Sequence, residues 1–200
     1  MPPAGPPILQ VIAGPNGAGK TTFYQTQIRH LTDAEFVNAD LLALNHFGHV
    51  ATTQEESVLG QRMAEERRRA LMADAKSLVT ETTFSHASKL DLLFDARKAG
   101  YRLIVYHLNV RGPDYSVARV AARVEDGGHP VPERKIRERY ARNQPLIRQA
   151  VLMADRAYIL DNSRLGEPPR HLISFVNGAA RQITDDLPDW TTKLYGGDLP

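Results

Sequence analysis

The chain has 200 residues, 42% of them hydrophobic, with a net charge of +2 and no cysteine. That length and apolar content suit one α/β domain with a full core, taken here as a single unit over 1–200. The absent cysteines exclude disulfides, zinc–thiolate sites and cysteine nucleophiles, and the small net charge argues against a polyanion as partner.

In chain order, Met1–Pro7 has no basic start and no apolar core, so it reads as a loose end rather than a signal peptide or anchor. No apolar run approaches membrane-spanning length, and a soluble, cytoplasmic protein is expected. Ile8–Ala13 reads as a short buried strand. It runs into Gly14, Pro15, Asn16, Gly17, Ala18, Gly19, Lys20 and Thr21, followed by Thr22. This run fits the phosphate-binding P-loop pattern at every fixed position, and a helix is expected from Lys20 towards Arg29. Glycines let backbone N–H groups wrap phosphate oxygens at a helix N-terminus. Lys20 would reach the β- and γ-phosphates and the Thr21 hydroxyl would ligate Mg²⁺, which points to ATP with magnesium.

Phe36–Asn38 is a candidate second strand, with Asp40 as N-cap of a helix starting at Leu41. A helix follows over about 54–75, carrying Arg67-Arg68-Arg69 as a solvated face, and Ser77–Glu81 reads as a strand. Asp91–Lys98 is helical and stopped by Gly100; Arg102–Leu108 is the clearest later strand. His86 reads as an ordinary loop residue.

From Arg119 to Arg148, seven arginines and Lys135 oppose four acidic residues, a net +4 and twice that of the whole chain. Val117, Val120, Ala121 and Val124 form an apolar helical stripe, with Arg119 and Arg123 together on the other side. Gly127–Pro132 breaks this helix from a second Arg-rich one. The region of about 112–150 therefore reads as an arginine-bearing lid, with Arg137 and Arg139 as alternates to Arg119 and Arg123. Tyr158–Leu160 and Leu172–Val176 complete the strands, and Gly196–Asp198 reads as a loose tail. The alternation predicts a three-layer P-loop fold, a mostly parallel sheet with helices on both faces.

The string GPNGAGKTT also occurs in transporter-type ATPases. Val58-Leu59-Gly60-Gln61-Arg62 matches their signature poorly, however, and no Glu follows Leu160-Asp161; GTPase base-recognition motifs are missing as well. A small P-loop kinase with a lid remains. The phrases Phe36-Val37-Asn38-Ala39-Asp40, Arg62-Met63-Ala64-Glu65, Glu81-Thr82-Thr83 and Asp161-Asn162-Ser163 stand in the order seen in one group. Over roughly residues 8–163 the chain resembles the zeta toxin family of P-loop kinases, in a short form.

That resemblance implies phosphorylation of the 3′-hydroxyl of UDP-N-acetylglucosamine, using ATP and Mg²⁺. It implies Asp40 as general base, Glu65, Glu81 and Thr83 as residues holding the sugar, and Arg119 and Arg123 as the basic lid. It also implies an antitoxin protein as a partner, since toxins of the family are often neutralised by one. The residues themselves leave other readings open. These are a kinase for a nucleoside, an antibiotic or a polynucleotide end, a partner-dependent ATPase, and a nucleotide-binding module without chemistry.

Overall fold

The computed structural model describes residues 5–125 and 131–200; most of the Gly127–Pro132 break and the first four residues lie outside the described residues. Seven strands form one sheet: β1 Ile8–Ala13, β2 Glu35–Val37, β3 Leu78–Thr82, β4 Arg102–Asn109, β5 Arg156–Asp161, β6 Arg170–Val176 and β7 Ala179–Ile183. Their spatial order is β2-β3-β1-β4-β5-β6-β7. The pairings from β2 to β5 are parallel and the last two are antiparallel. The sequence expectation of a mostly parallel sheet is thus met.

Side chains alternate across β1. Leu9, Val11 and Ala13 enter a large core with Leu103 and Val105 of β4, while Ile12 faces a smaller cluster with Val79 and Leu108. The large core is closed by three long helices, α3 Gln54–Ala73, α4 Lys89–Lys98 and α6 Glu133–Met153, and by α7 Asp189–Tyr195. The smaller one is closed by Phe23, Tyr24 and Ile28, which follow the P-loop. There the chain runs through α1 Lys20–Phe23, one wider π-helical turn at Tyr24–Ile28 and a 3₁₀ turn at Arg29–Leu31. Two further helices, α2 Ala39–Phe47 and α5 Pro113–Glu125, flank the open end of the sheet. Burying a leucine such as Leu9 contributes about 1.5–3 kcal/mol.

Several local expectations shift. Asn38, not Asp40, caps α2: it has extended backbone, and its Oδ1 accepts the Leu41 N–H at 2.9 Å. Asp40 stands inside the first turn, where its charge still favours the helix N-terminus. The α5 stripe buries Ser116 and Val120, while Ala121 is exposed. The expected loose tail is tied down, because Arg148 of α6 donates to Asp198 from Nε at 2.6 Å and from Nη2 at 2.5 Å. The β6–β7 hairpin and α7 lie beyond what the sequence reading found. Its turn is Asn177-Gly178 with φ of 49° and 75°, the pair of positive values that a two-residue hairpin requires. No helix among the described residues is long and apolar enough to cross a membrane.

Candidate active site

The carboxyl ends of parallel strands open a crevice where ligands bind in α/β sheets. Here that end holds a cavity of about 1480 Å³. Its first wall is the P-loop, whose backbone is determined by its glycines. A Cβ on Gly14 would fall 2.0 Å from the Leu108 carbonyl oxygen, and Gly19 sits at φ 84° just before α1. No larger residue meets both demands. Pro15 and Ala18 serve through their backbones: Lys20 donates from Nζ to the Pro15 carbonyl at 3.0 Å. Lys20 is buried, and burial lowers its pKa while Glu81 and Asp40 oppose that shift and Arg123 adds to it.

β3 pairs with β1 so that Glu81 lies beside Ile12, two residues before the loop. The Thr21 hydroxyl donates to Glu81 Oε2 at 2.9 Å. Burial raises the Glu81 pKa; Lys20, the Thr21 hydroxyl and the amide of Asn38 pull it down, and Asp40 pushes it up. Lys20, Thr21, Glu81, Asn38 and Asp40 therefore share one electrostatic neighbourhood, although they come from three separated stretches of chain. Asn38 has a double function the sequence reading missed. Its oxygen caps α2, and its side chain faces Glu81 and helps hold that carboxyl's pKa down.

The remaining candidates fall around this centre. Thr83 lines the cavity, and its carbonyl accepts from the buried Asn143 amide of α6. Glu65 also lines it, paired with Arg69. Arg119 and Arg123 line the side formed by α5; Arg119 Nη1 lies 3.5 Å from the Gly17 carbonyl, and its pKa is lowered by burial against the opposing pull of Asp161. Arg139 and Lys135 of α6 reach the cavity too. Arg137 does not: it is engaged with Asp114 at 2.7 Å and Glu133 at 2.8 Å. His86 stays outside the cavity, bonded to Ser88 at 2.9 Å.

Arg67-Arg68-Arg69 is only in part the solvated face expected. Arg67 pairs with Glu35 and Arg69 with Glu65, both exposed, and Arg69 lies at the cavity's rim, but Arg68 turns inward, half-buried, and lines the cavity. Helical phase explains this, because Gly60, Ala64, Arg68 and Leu71 recur at steps of three and four on the buried side of α3. Asn162 was also missed as a site residue. Its amide donates to the Ala18 carbonyl at 2.8 Å and stands over Gly19. The strand end beneath it is held by Asp161, which accepts from Ser163 at 2.6 Å and from Trp190 of α7 at 3.1 Å.

Among the described residues no three His, Cys, Asp or Glu side chains gather to hold a metal. The Thr21 hydroxyl and the Glu81 carboxylate do supply hard oxygen donors next to the loop, which suits a magnesium ion completed by phosphate and water.

Compared with known proteins, the chain matches a family described as AAA domain over residues 9–146. No curated protein matches it by sequence. Among solved structures it is similar to a chain of the AvrRxo1-ORF1:ORF2 complex with ATP, at 15% identity and TM-score 0.67, covering 98% of this chain and 64% of that one. It is similar to a chain of the PezAT toxin–antitoxin system of Streptococcus pneumoniae, at 15% identity and TM-score 0.64, covering 98% and 81%. It is also similar to shikimate kinase from Acinetobacter baumannii with shikimate, at 23% identity and TM-score 0.52, covering 80% and 86%. The chain spans less than two thirds of the AvrRxo1 chains. These likenesses are of fold: the sheet and its helices form a P-loop kinase-like α/β structure.

Proposed function

The chain belongs to this AAA domain family, and from that premise we propose that it is an ATP-dependent kinase of the zeta-toxin type. It transfers the γ-phosphoryl group of ATP to a sugar hydroxyl, with the 3′-hydroxyl of UDP-N-acetylglucosamine as the acceptor. The observation that carries the reading is the meeting of Lys20, Thr21, Glu81 and Asp40 at one end of one cavity. A nucleotide-binding module needs the first two. Two carboxylates lining the same cavity beside the loop are what a phosphoryl acceptor needs.

In this reading the loop amides of Gly14–Thr21 and Lys20 hold the triphosphate. Thr21, with Glu81 behind it, would hold Mg²⁺, which when bound neutralises phosphate charge. Asp40, exposed to the cavity, takes the proton of the acceptor hydroxyl as its oxygen bonds to the γ-phosphorus. The bond from that phosphorus to the β–γ bridging oxygen breaks, and ADP leaves. Glu65, Glu81 and Thr83 would hold the sugar, and Arg119 and Arg123, on the lid helices of about 112–150, would stabilise charge on the moving group. An antitoxin protein is proposed as partner, on the analogy of the PezAT toxin–antitoxin system.

The test is transfer of label from γ-labelled ATP with Mg²⁺, with and without UDP-N-acetylglucosamine. Label on the sugar nucleotide that Asp40→Ala abolishes is the expected result. Transfer to a nucleoside, antibiotic or polynucleotide end instead would keep the kinase and replace the acceptor. Hydrolysis indifferent to every acceptor would overturn the kinase reading in favour of an ATPase.

A further inference from the structure

Apart from the ion-paired Arg69 and Arg164 and from Lys135 and Arg139 of α6, cations line the cavity in two places, and one triphosphate accounts for only the first. Lys20, Arg119 and Arg123 gather about the P-loop. On the facing wall α3 and the start of α4 present a second pair, Arg68 and Lys89, both lining the cavity. Neither is an ordinary solvated charge. Arg68 rides the buried stripe of α3, and its Nη1 finds only the Thr80 hydroxyl, at 3.5 Å. That hydroxyl already donates to the Val37 carbonyl at 2.9 Å, so it offers the guanidinium only a neutral oxygen's lone pairs and no charge. Lys89 is partly buried and enters no ion pair among the described residues. The one carboxylate near both is Glu65, which Arg69 already engages.

The arrangement costs free energy as it stands. Burial lowers the pKa of each group, and the Arg68 charge lowers that of Lys89 further. Two cations drawn out of water towards a shared, occupied carboxylate are offset only if another anion joins them. Thr80 and Glu81 both line the cavity, so this anion would share it with the carboxylates that face the acceptor.

We propose that Arg68 and Lys89 form an anion subsite, separate from the P-loop, that binds a phosphate or diphosphate group carried by the acceptor. The acceptor's role rests on the kinase reading above; the binding of the anion does not. A guanidinium fork and an ammonium group together match a diphosphate, the fork by direction and the lysine as a point charge. The subsite also acts as a filter, because an uncharged polyol leaves both cations uncompensated.

The test fills the P-loop first. Inorganic pyrophosphate is titrated calorimetrically into the full chain saturated with Mg²⁺ and a non-hydrolysable ATP analogue. One pyrophosphate should bind, with affinity lowered about tenfold or more in Arg68→Gln/Lys89→Gln, as expected for loss of charge-assisted bonds. The single variant Arg68→Lys should recover part of that loss, and unchanged affinity for the analogue shows that the variants are folded. The KM for UDP-N-acetylglucosamine should rise in parallel while kcat stays within about twofold, the pattern of lost ground-state binding. No pyrophosphate binding to the loaded wild type, or equal binding in the double variant, overturns the subsite. Pyrophosphate binding that the variant loses, with no acceptor phosphorylated, keeps the subsite and removes the kinase reading. Acceptor phosphorylation that the double variant performs as well as the wild type removes the subsite and leaves the kinase reading standing.

Discussion

The proposed nucleotide wall of the cavity comes mainly from one run, Asn16–Thr22, with Asn162 added, whereas the facing wall takes Asp40 from α2, Glu65 and Arg68 from α3, Glu81 from β3 and Lys89 from α4. The first wall is set by backbone geometry: glycines where a Cβ would strike Leu108 or where φ turns positive, then a helix N-terminus. The second is set by packing, since its side chains come from four separate elements. A phosphate cradle suits any triphosphate and can be local. A wall that selects an acceptor must bring unlike groups to chosen points, which only tertiary structure does.

If the two walls divide the work in this way, variants on each should separate cleanly. The largest effect is expected from Asp40→Asn, which should lower kcat by about 10²–10⁴-fold, the usual contribution of a general base. Its affinity for ATP, read by fluorescent-analogue displacement, should stay near that of the wild type. A parallel loss of ATP affinity would mean that Asp40 belongs to the nucleotide wall after all.

Lys20→Ala should lower kcat/KM by about 10²–10³-fold, the scale of one removed electrostatic stabiliser. Here ATP binding should weaken too, while acceptor binding measured without nucleotide stays intact. Asn162→Ala tests the part of the nucleotide wall that is not contiguous. Loss of its 2.8 Å bond to the Ala18 carbonyl, at a net value of about 0.5–1.5 kcal/mol, should weaken ATP binding about two- to tenfold in a titration.

The smallest effect is on stability, and it falls where the walls meet. Burial holds the Glu81 carboxyl above its ordinary 4.5, so the native chain keeps that proton more firmly than the unfolded chain does. Native protein then binds more protons than unfolded, and this group's contribution to stability falls as pH climbs from 4.5 through the raised value. Glu81→Gln should flatten the dependence of Tm on pH across that window. An unaltered slope would show that Lys20 and Thr21 hold Glu81 ionised throughout.

Where sequence reading succeeded and failed follows the same division. The P-loop, its strand and its glycines were legible because each demand is met within a few residues. The inward turn of Arg68 was legible in principle, through its helical step from Gly60 and Ala64, yet its charge made a solvated face the simpler reading. Asn177-Gly178 marked a hairpin that the strand reading stopped short of. Asp40 looked like the cap of α2 because Asp is a good cap; Asn38, two residues earlier, holds that place.

By itself the sequence determined a P-loop between a buried strand and a helix, and the alternation that makes a mostly parallel sheet. Those are consequences of local backbone freedom and of apolar period. Only the tertiary structure decided that Glu81 reaches Thr21, that Asn162 crosses to Ala18, and that Arg68 and Lys89 share one wall. Each of these joins residues distant in the chain, and their distances are determined by how the strands register and the helices pack.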